Sequence, residues 1–212
     1  MDRKTLMMAS KISNSGLRRD IMVLRNNLKQ LVQASKRNAE IQQKIDEIGE
    51  VAVRCEDLET LVVKTADTLK ELFGLTMATY CLEQGCRELL PPPMEHLPAP
   101  TADRLFFMPQ DRLDGIFEQM TPLLHGRLEH GSVHFFGIRD LRRIRSEALV
   151  PLVYGNRVIG SLNLGSNDPV RYSEGNATDY LRRLAQVIAL AIVNLRLRHA
   201  VGDAVPAVSA EG

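Results

Sequence analysis

The chain carries almost no net charge, few cysteines, no apolar run of membrane-spanning length and none of the short signatures of phosphate-binding or hydrolytic enzymes. Its 212 residues hold 27 Lys plus Arg against 26 Asp plus Glu, a formal net charge of +1. That balance supplies no bulk field for nucleic acid. The longest uninterrupted apolar run, residues 187–193, falls far short of the roughly 20 residues that cross a bilayer. Residues 1–13 include basic side chains but lack the sustained apolar stretch of a secretory signal. A cytoplasmic protein with no membrane partner is expected. Its three cysteines, Cys55, Cys81 and Cys86, are expected as reduced thiols rather than a disulfide framework. With no Gly-rich phosphate loop, no Gly-x-Ser-x-Gly elbow and no paired carboxylates to place in one cleft, no catalytic residue, metal ligand or cofactor is predicted.

At 44% hydrophobic and 25% charged residues, the composition is globular, with room for one domain of about 150 residues plus an appendage. The appendage is the amino-terminal third. Leu17, Ile21, Leu24, Leu28 and Leu31 follow alternating steps of four and three, mostly separated by charged or amide side chains. This is a heptad seam and predicts a coiled coil. The same pattern lands next on Ser35 and Asn38, after which Ile41, Ile45 and Ile48 resume it with the phase moved by three residues. A shift of three overwinds a coiled coil locally. The eight apolar positions are predicted to form the interface of a parallel homodimer. Arg18, Arg19, Arg25, Lys29, Lys36 and Arg37 are interleaved with the seam rather than lying ahead of it, which argues against a basic region feeding a zipper and for a solvated face. The chain is accordingly divided into a flexible start (1–16), a coiled-coil or signalling helix (17–54), a globular domain (55–200) and a disordered tail (201–212).

Within the domain, Asp57 is a plausible N-cap for a helix carrying Leu58, Leu61, Val62, Ala66, Leu69 and Leu72, and Gly74 ends it. Residues 75–82 read as a strand. Pro91-Pro92-Pro93, Pro98 and Pro100 mark residues 87–103 as a surface loop or lid. A short strand over 104–108, a short helix capped by Asp111 and another strand over 123–127 follow. Phe135, Phe136, Ile138 and Leu141 suggest a buried connector. The strongest local signal comes last. Residues 148–154 and 158–164 are rich in Val, Leu and Ile around Gly155-Asn156, a pair that tolerates positive φ in a two-residue turn, so an antiparallel hairpin is predicted. Ser173 as N-cap and Glu174 in the first turn open a helix whose stripe is Leu181, Leu184, Ile188, Ala191, Ile192 and Leu195. Strands flanked by helices at both ends predict an α+β fold with one face of the sheet covered by the terminal helices.

Ala148-Leu149-Val150-Pro151-Leu152, Gly155-Asn156 and Val158-Ile159-Gly160-Ser161-Leu162 resemble the hairpin signature of GAF domains, relatives of cyclic-nucleotide and phytochrome sensor modules. The run 164–172 and then Thr178-Asp179-Tyr180-Leu181-Arg182-Arg183-Leu184-Ala185 resembles a narrower bacterial group, domain of unknown function 484. The resemblance is specific over residues 126–195 and implies a GAF-like antiparallel sheet of about six strands, a small-molecule-sized cavity on the face away from the terminal helices, and a dimer built through those helices. Where cyclic-nucleotide binders carry Phe followed by Asp-Glu, this chain has Tyr172 with Asn176 and Ala177. No cysteine sits beside a histidine as a bilin site requires. Neither ligand is expected. Tyr80, Ser161 and Asn163, polar residues on strands below the Pro-rich loop, are the predicted ligand-binding groups.

Cysteine chemistry is the rival reading. Some GAF proteins reduce free methionine sulfoxide, and Cys81 and Cys86 flank a turn, close enough in sequence to form a disulfide. No His or Lys lies nearby in sequence to lower a thiol pKa. His125, His130 and His134 lack a further ligand for a metal. The expected function is a non-catalytic, dimeric regulatory protein with a GAF-like sensing domain coupled to the amino-terminal helix and acting on a downstream protein. A dimerisation scaffold with a filled interior is the alternative.

Overall fold

The computed structural model describes residues 3–90, 97–173 and 178–204, with backbone alone for residues 3–20 and 202–204. Two compact units result, residues 1–43 and residues 44–212. Helix α1 (Arg3–Val53) makes up the first and continues into the second, so it takes in residues 3–16 as well as the segment assigned to it from sequence. In the first unit Ile21, Leu24, Leu28 and Leu31 are 43–68% exposed, while the side chain of Leu17 lies outside the described residues. Ile41 is half-buried.

Ile45 and Ile48 depart from expectation. They are 2% and 0% exposed within the single chain and, with Ala52, belong to the core of the second unit. The three-residue change of phase after Asn38 therefore precedes a change from exposed to buried positions. Before it the stripe is open; after it the stripe packs on its own domain, and Gly49 comes so close to Val187 that a Cβ would sit 3.2 Å from Cγ1.

Helix α2 (Leu58–Phe73) begins where sequence placed it. Asp57 Oδ1 accepts the Thr60 N–H at 2.6 Å, and Gly74 closes the helix at φ 59° with its N–H donated to Lys70 O. Lys44 Nζ donates to Leu72 O at 2.6 Å and Arg171 Nη2 to Phe73 O at 2.6 Å. Two cations thus satisfy carbonyls at the negative end of the helix dipole.

There follow β1 (Met77–Glu83), a 3₁₀ turn (Gln84–Leu89), α3 (Ala99–Ala102), β2 (Leu105–Met108), α4 (Gln110–Ile116), β3 (Leu123–His125), β4 (Ser146–Tyr154), β5 (Arg157–Ser166) and α5 (Asp179–Ala204). The Pro91-Pro92-Pro93 segment lies outside the described residues, and Pro98 and Pro100 open the single turn of α3. Helix α4 starts after Pro109 rather than on an Asp111 cap. Helix α5 starts at Asp179, not after Ser173, whose hydroxyl donates back to Val170 O at 2.9 Å; Glu174 lies outside the described residues. By length and composition α5 is apolar enough to cross a membrane. Leu181, Leu184, Ile188 and Ile192 are nonetheless buried, and the helix packs on β4.

The described sheet has five strands in the order β2-β1-β5-β4-β3. It is mixed rather than antiparallel throughout: β2 runs parallel to β1, pairing Tyr80 with Leu105 and Leu82 with Phe107. Residues 84–104 separate the two strands, a connection long enough to permit the parallel sense that a tight turn could not. The predicted hairpin is present, with Gly155 at φ 60° and Val150 opposite Leu162. Strict alternation then sorts the side chains. Tyr80, Leu162 and Val150 share one face, and Tyr80 Oη meets Thr65 Oγ1 of α2 at 2.6 Å. That is the helix-covered face. Thr79, Asn163 and Leu149 share the other. Gly160 lets β1 and β5 approach, since a Cβ there would lie 2.7 Å from Cys81 O.

Candidate functional site on the plugged face of the sheet

The face away from α2 and α5 carries a row of polar side chains across β1 and β5. Thr79, Ser161 and Asn163 are fully buried. Ser161 Oγ donates to Asn163 Oδ1 at 2.8 Å, Asn163 Nδ2 donates to Thr79 Oγ1 at 3.4 Å, and the Thr79 hydroxyl donates to Phe135 O. The donors and acceptors are spent on one another and on a single carbonyl, as burial demands.

Of the three residues predicted to bind a ligand, Ser161 and Asn163 are neighbours here. Tyr80 is one residue out of phase and points into the helix layer, where burial pushes its phenol pKa up. None of the three is wet. The covering layer is the chain's own: Phe135, Phe136 and Ile144 from the β3–β4 connection, with Met108, Leu113 and Phe117, form one buried cluster with Cys81, Leu149 and Val158. Phe117 and Phe135 meet edge-tilted at 6.4 Å. Ile138, expected in this connector's buried side, faces solvent instead. Gly165 and Gly131 make room for the plug. A Cβ on Gly165 would stand 2.9 Å from Ile144 Cδ1 and 3.3 Å from Phe136 Cε1, and one on Gly131 would stand 3.0 Å from Ile144 Cδ1.

Beside the plug lies a buried carboxylate that the sequence alone does not single out. Glu147 is 1% exposed. The β3–β4 register places His125 opposite it. His125 Nδ1 lies 2.9 Å from Oε1, Ser132 N–H donates to Oε2 at 2.9 Å, and the Ser132 hydroxyl donates to Oε1. Burial alone would raise the Glu147 pKa; the hydrogen bonds from His125 and Ser132 outweigh it and hold the carboxyl below its usual value of 4.5. The signal in the sequence was a lone acid inside an apolar strand, Ser-Glu-Ala-Leu-Val. Such a residue needs donors, and Ser132 supplies two.

The thiols sit in surroundings that suppress the thiolate. Burial pushes Cys81 up to about 12. Cys86 rises to about 11, burial outweighing the nearby Arg196 and Arg157 guanidiniums. Cys55 is also raised by burial. Next to Cys86, the buried carboxylate of Glu83 takes Arg157 on one oxygen and Arg196 of α5 on the other. A cleft of about 700 Å³ lined by residues including Asp57, Lys64, Glu88, Pro100 and His199 lies at the start of α2 and shares no residue with the polar row.

Comparison with known proteins places this geometry. The family described as "Protein of unknown function, DUF484" matches residues 15–199. No curated protein matches the sequence. Among solved structures, a GAF domain from a phosphoenolpyruvate-protein phosphotransferase of Coxiella burnetii superposes with a TM-score of 0.55 at 11% identity, covering 76% of this chain and 98% of that one. A free methionine-R-sulfoxide reductase from Neisseria meningitidis, solved with its substrate, gives 0.52 at 22% identity over 74% of this chain and 91% of its own. At these identities the likeness is one of fold, and the fold is GAF-like.

Proposed function

Because the chain belongs to the family of proteins of unknown function DUF484 and has a GAF-like fold, we propose that it is a non-catalytic, cytoplasmic regulatory protein that acts as a homodimer and signals to another protein. The observation that carries this reading is the stripe Ile21, Leu24, Leu28 and Leu31, more than 40% exposed at each position on a helix with heptad spacing. Aliphatic side chains so spaced need a partner, and a second copy of the same stripe supplies a self-complementary one. The non-catalytic reading draws support from the thiols: Cys81 and Cys86 are buried and raised well above neutrality, where little thiolate exists to attack a sulfoxide.

Sedimentation equilibrium tests the dimer. Wild-type protein at tens of micromolar is expected at twice 23.7 kDa, and Leu24→Asp with Leu28→Asp is expected at the monomer mass with an unchanged fold, because both side chains are exposed. A monomeric wild type would end the proposal.

The plugged sheet face supports a domain that works in its closed form, holding no resident small molecule. Native mass spectrometry is expected to return twice the sequence mass without an adduct. The second reading, a small-molecule sensor, is favoured by the row Thr79, Asn163 and Ser161, which is more polar than a filler core requires. An organic molecule released on denaturation would select that reading.

A further inference from the structure

Residues 126–145, between β3 and β4, have an inside and an outside of opposite character. Inside are Phe135, Phe136 and Ile144 of the plug and the Ser132 groups that hold Glu147. Leu128 N–H donates to Arg145 O at 2.8 Å and Gly131 N–H to Leu141 O at 2.9 Å. The two limbs therefore run side by side, and residues 132–140 form a tip. Outside are Arg127, Arg139, Arg142, Arg143 and Arg145, all exposed. Only Glu129 and Asp140 oppose them, so five positive less two negative charges leave +3 on this segment, in a chain whose total is +1. Asp140 is taken by Arg143 at 3.2 Å, while Arg139 and Arg142 make no ion pair among the described residues. Arg143 also faces Lys70 across a cleft of about 570 Å³ that includes Thr76 and Asn167, which extends the positive surface. Among these cations stand two bare aliphatic side chains, Val133 at 57% and Ile138 at 87% exposure.

We propose that this loop is a docking surface for an anionic lipid bilayer. Guanidiniums in excess of the acids around them repel one another until an anionic surface meets them, and each near such a surface strengthens binding by about fivefold. Their forked geometry suits phosphate oxygens. Ile138 and Val133 supply the apolar contact that the headgroup boundary accepts. The loop's helical element, a 3₁₀ turn over Leu141–Arg143, is too short to lie in a duplex groove, and its aromatic rings, Phe135 and Phe136, are buried where no base can stack on them. The buried fastenings hold the cations in place, so little ordering opposes docking.

The test is co-sedimentation of the full chain with vesicles of 70:30 phosphatidylcholine and phosphatidylglycerol or of phosphatidylcholine alone. Wild type is expected to pellet with the anionic vesicles and to lose about tenfold or more of its partition on neutral vesicles or in high salt. Arg139→Glu with Arg142→Glu is expected to lose about as much with unchanged circular dichroism, and Ile138→Ser to weaken binding several-fold at constant charge. Equal partition of wild type and the charge-reversed variant, or no pelleting with either vesicle, overturns the proposal. So does binding of duplex DNA or polyglutamate by a protein that ignores the vesicles.

Discussion

Phe136→Ala is expected to lower the free energy of unfolding by about 3–5 kcal/mol, read as a shift in the urea midpoint at constant m-value. Phe136 is 1% exposed and packs over Gly165 on β5, where a Cβ would stand 3.3 Å from the ring and 2.9 Å from Ile144. Removing the ring leaves a void above the sheet that Gly165 cannot fill. If the plug is what closes this face, the variant should also gain binding of a small apolar fluorophore that wild type excludes. A cost below about 1 kcal/mol would mean that the connector yields easily and that the face opens without penalty.

Glu147→Ala is expected to cost about 2 kcal/mol, because it takes the acceptor from the half-buried Ser132 N–H and hydroxyl and removes the partner of His125. The effect depends on pH in a defined direction. The folded carboxyl titrates below its ordinary value of 4.5, so its contribution is complete above that value and is lost as pH falls through the lower, folded one. Wild type should therefore lose stability on acidification below about pH 4.5, and Glu147→Ala should lose less over the same interval. Parallel acid profiles for the two proteins would show that the carboxylate is not the group responsible.

Both predictions concern a part of the molecule that its sequence conceals. The elements that local chemistry dictates were legible: the Asp57 cap and Gly74 stop of α2, the Gly155-Asn156 hairpin, and the stripe of α5. Long-range pairing was not. Nothing in Leu-Phe-Phe-Met of β2 distinguishes a parallel from an antiparallel neighbour, since both bury the same alternation. The candidate site was half legible. Ser161 and Asn163 were found by strand position, but a one-residue error in phase turned Tyr80 to the wrong side. Glu147, Ser132 and His125 converge only through the β3–β4 register and a loop closing over it. The change of phase in α1 was visible, yet its meaning required knowing that Ile45 and Ile48 have a core to enter.

That last point bears on how the chain can be divided. The final turns of α1 supply Ile45, Ile48 and Ala52 to the globular body, and Lys44 ties the same stretch to the end of α2. A fragment beginning at residue 55 would present raw apolar surface and stick to whatever it met, so partner mapping with halves of this protein calls for a cut ahead of residue 44.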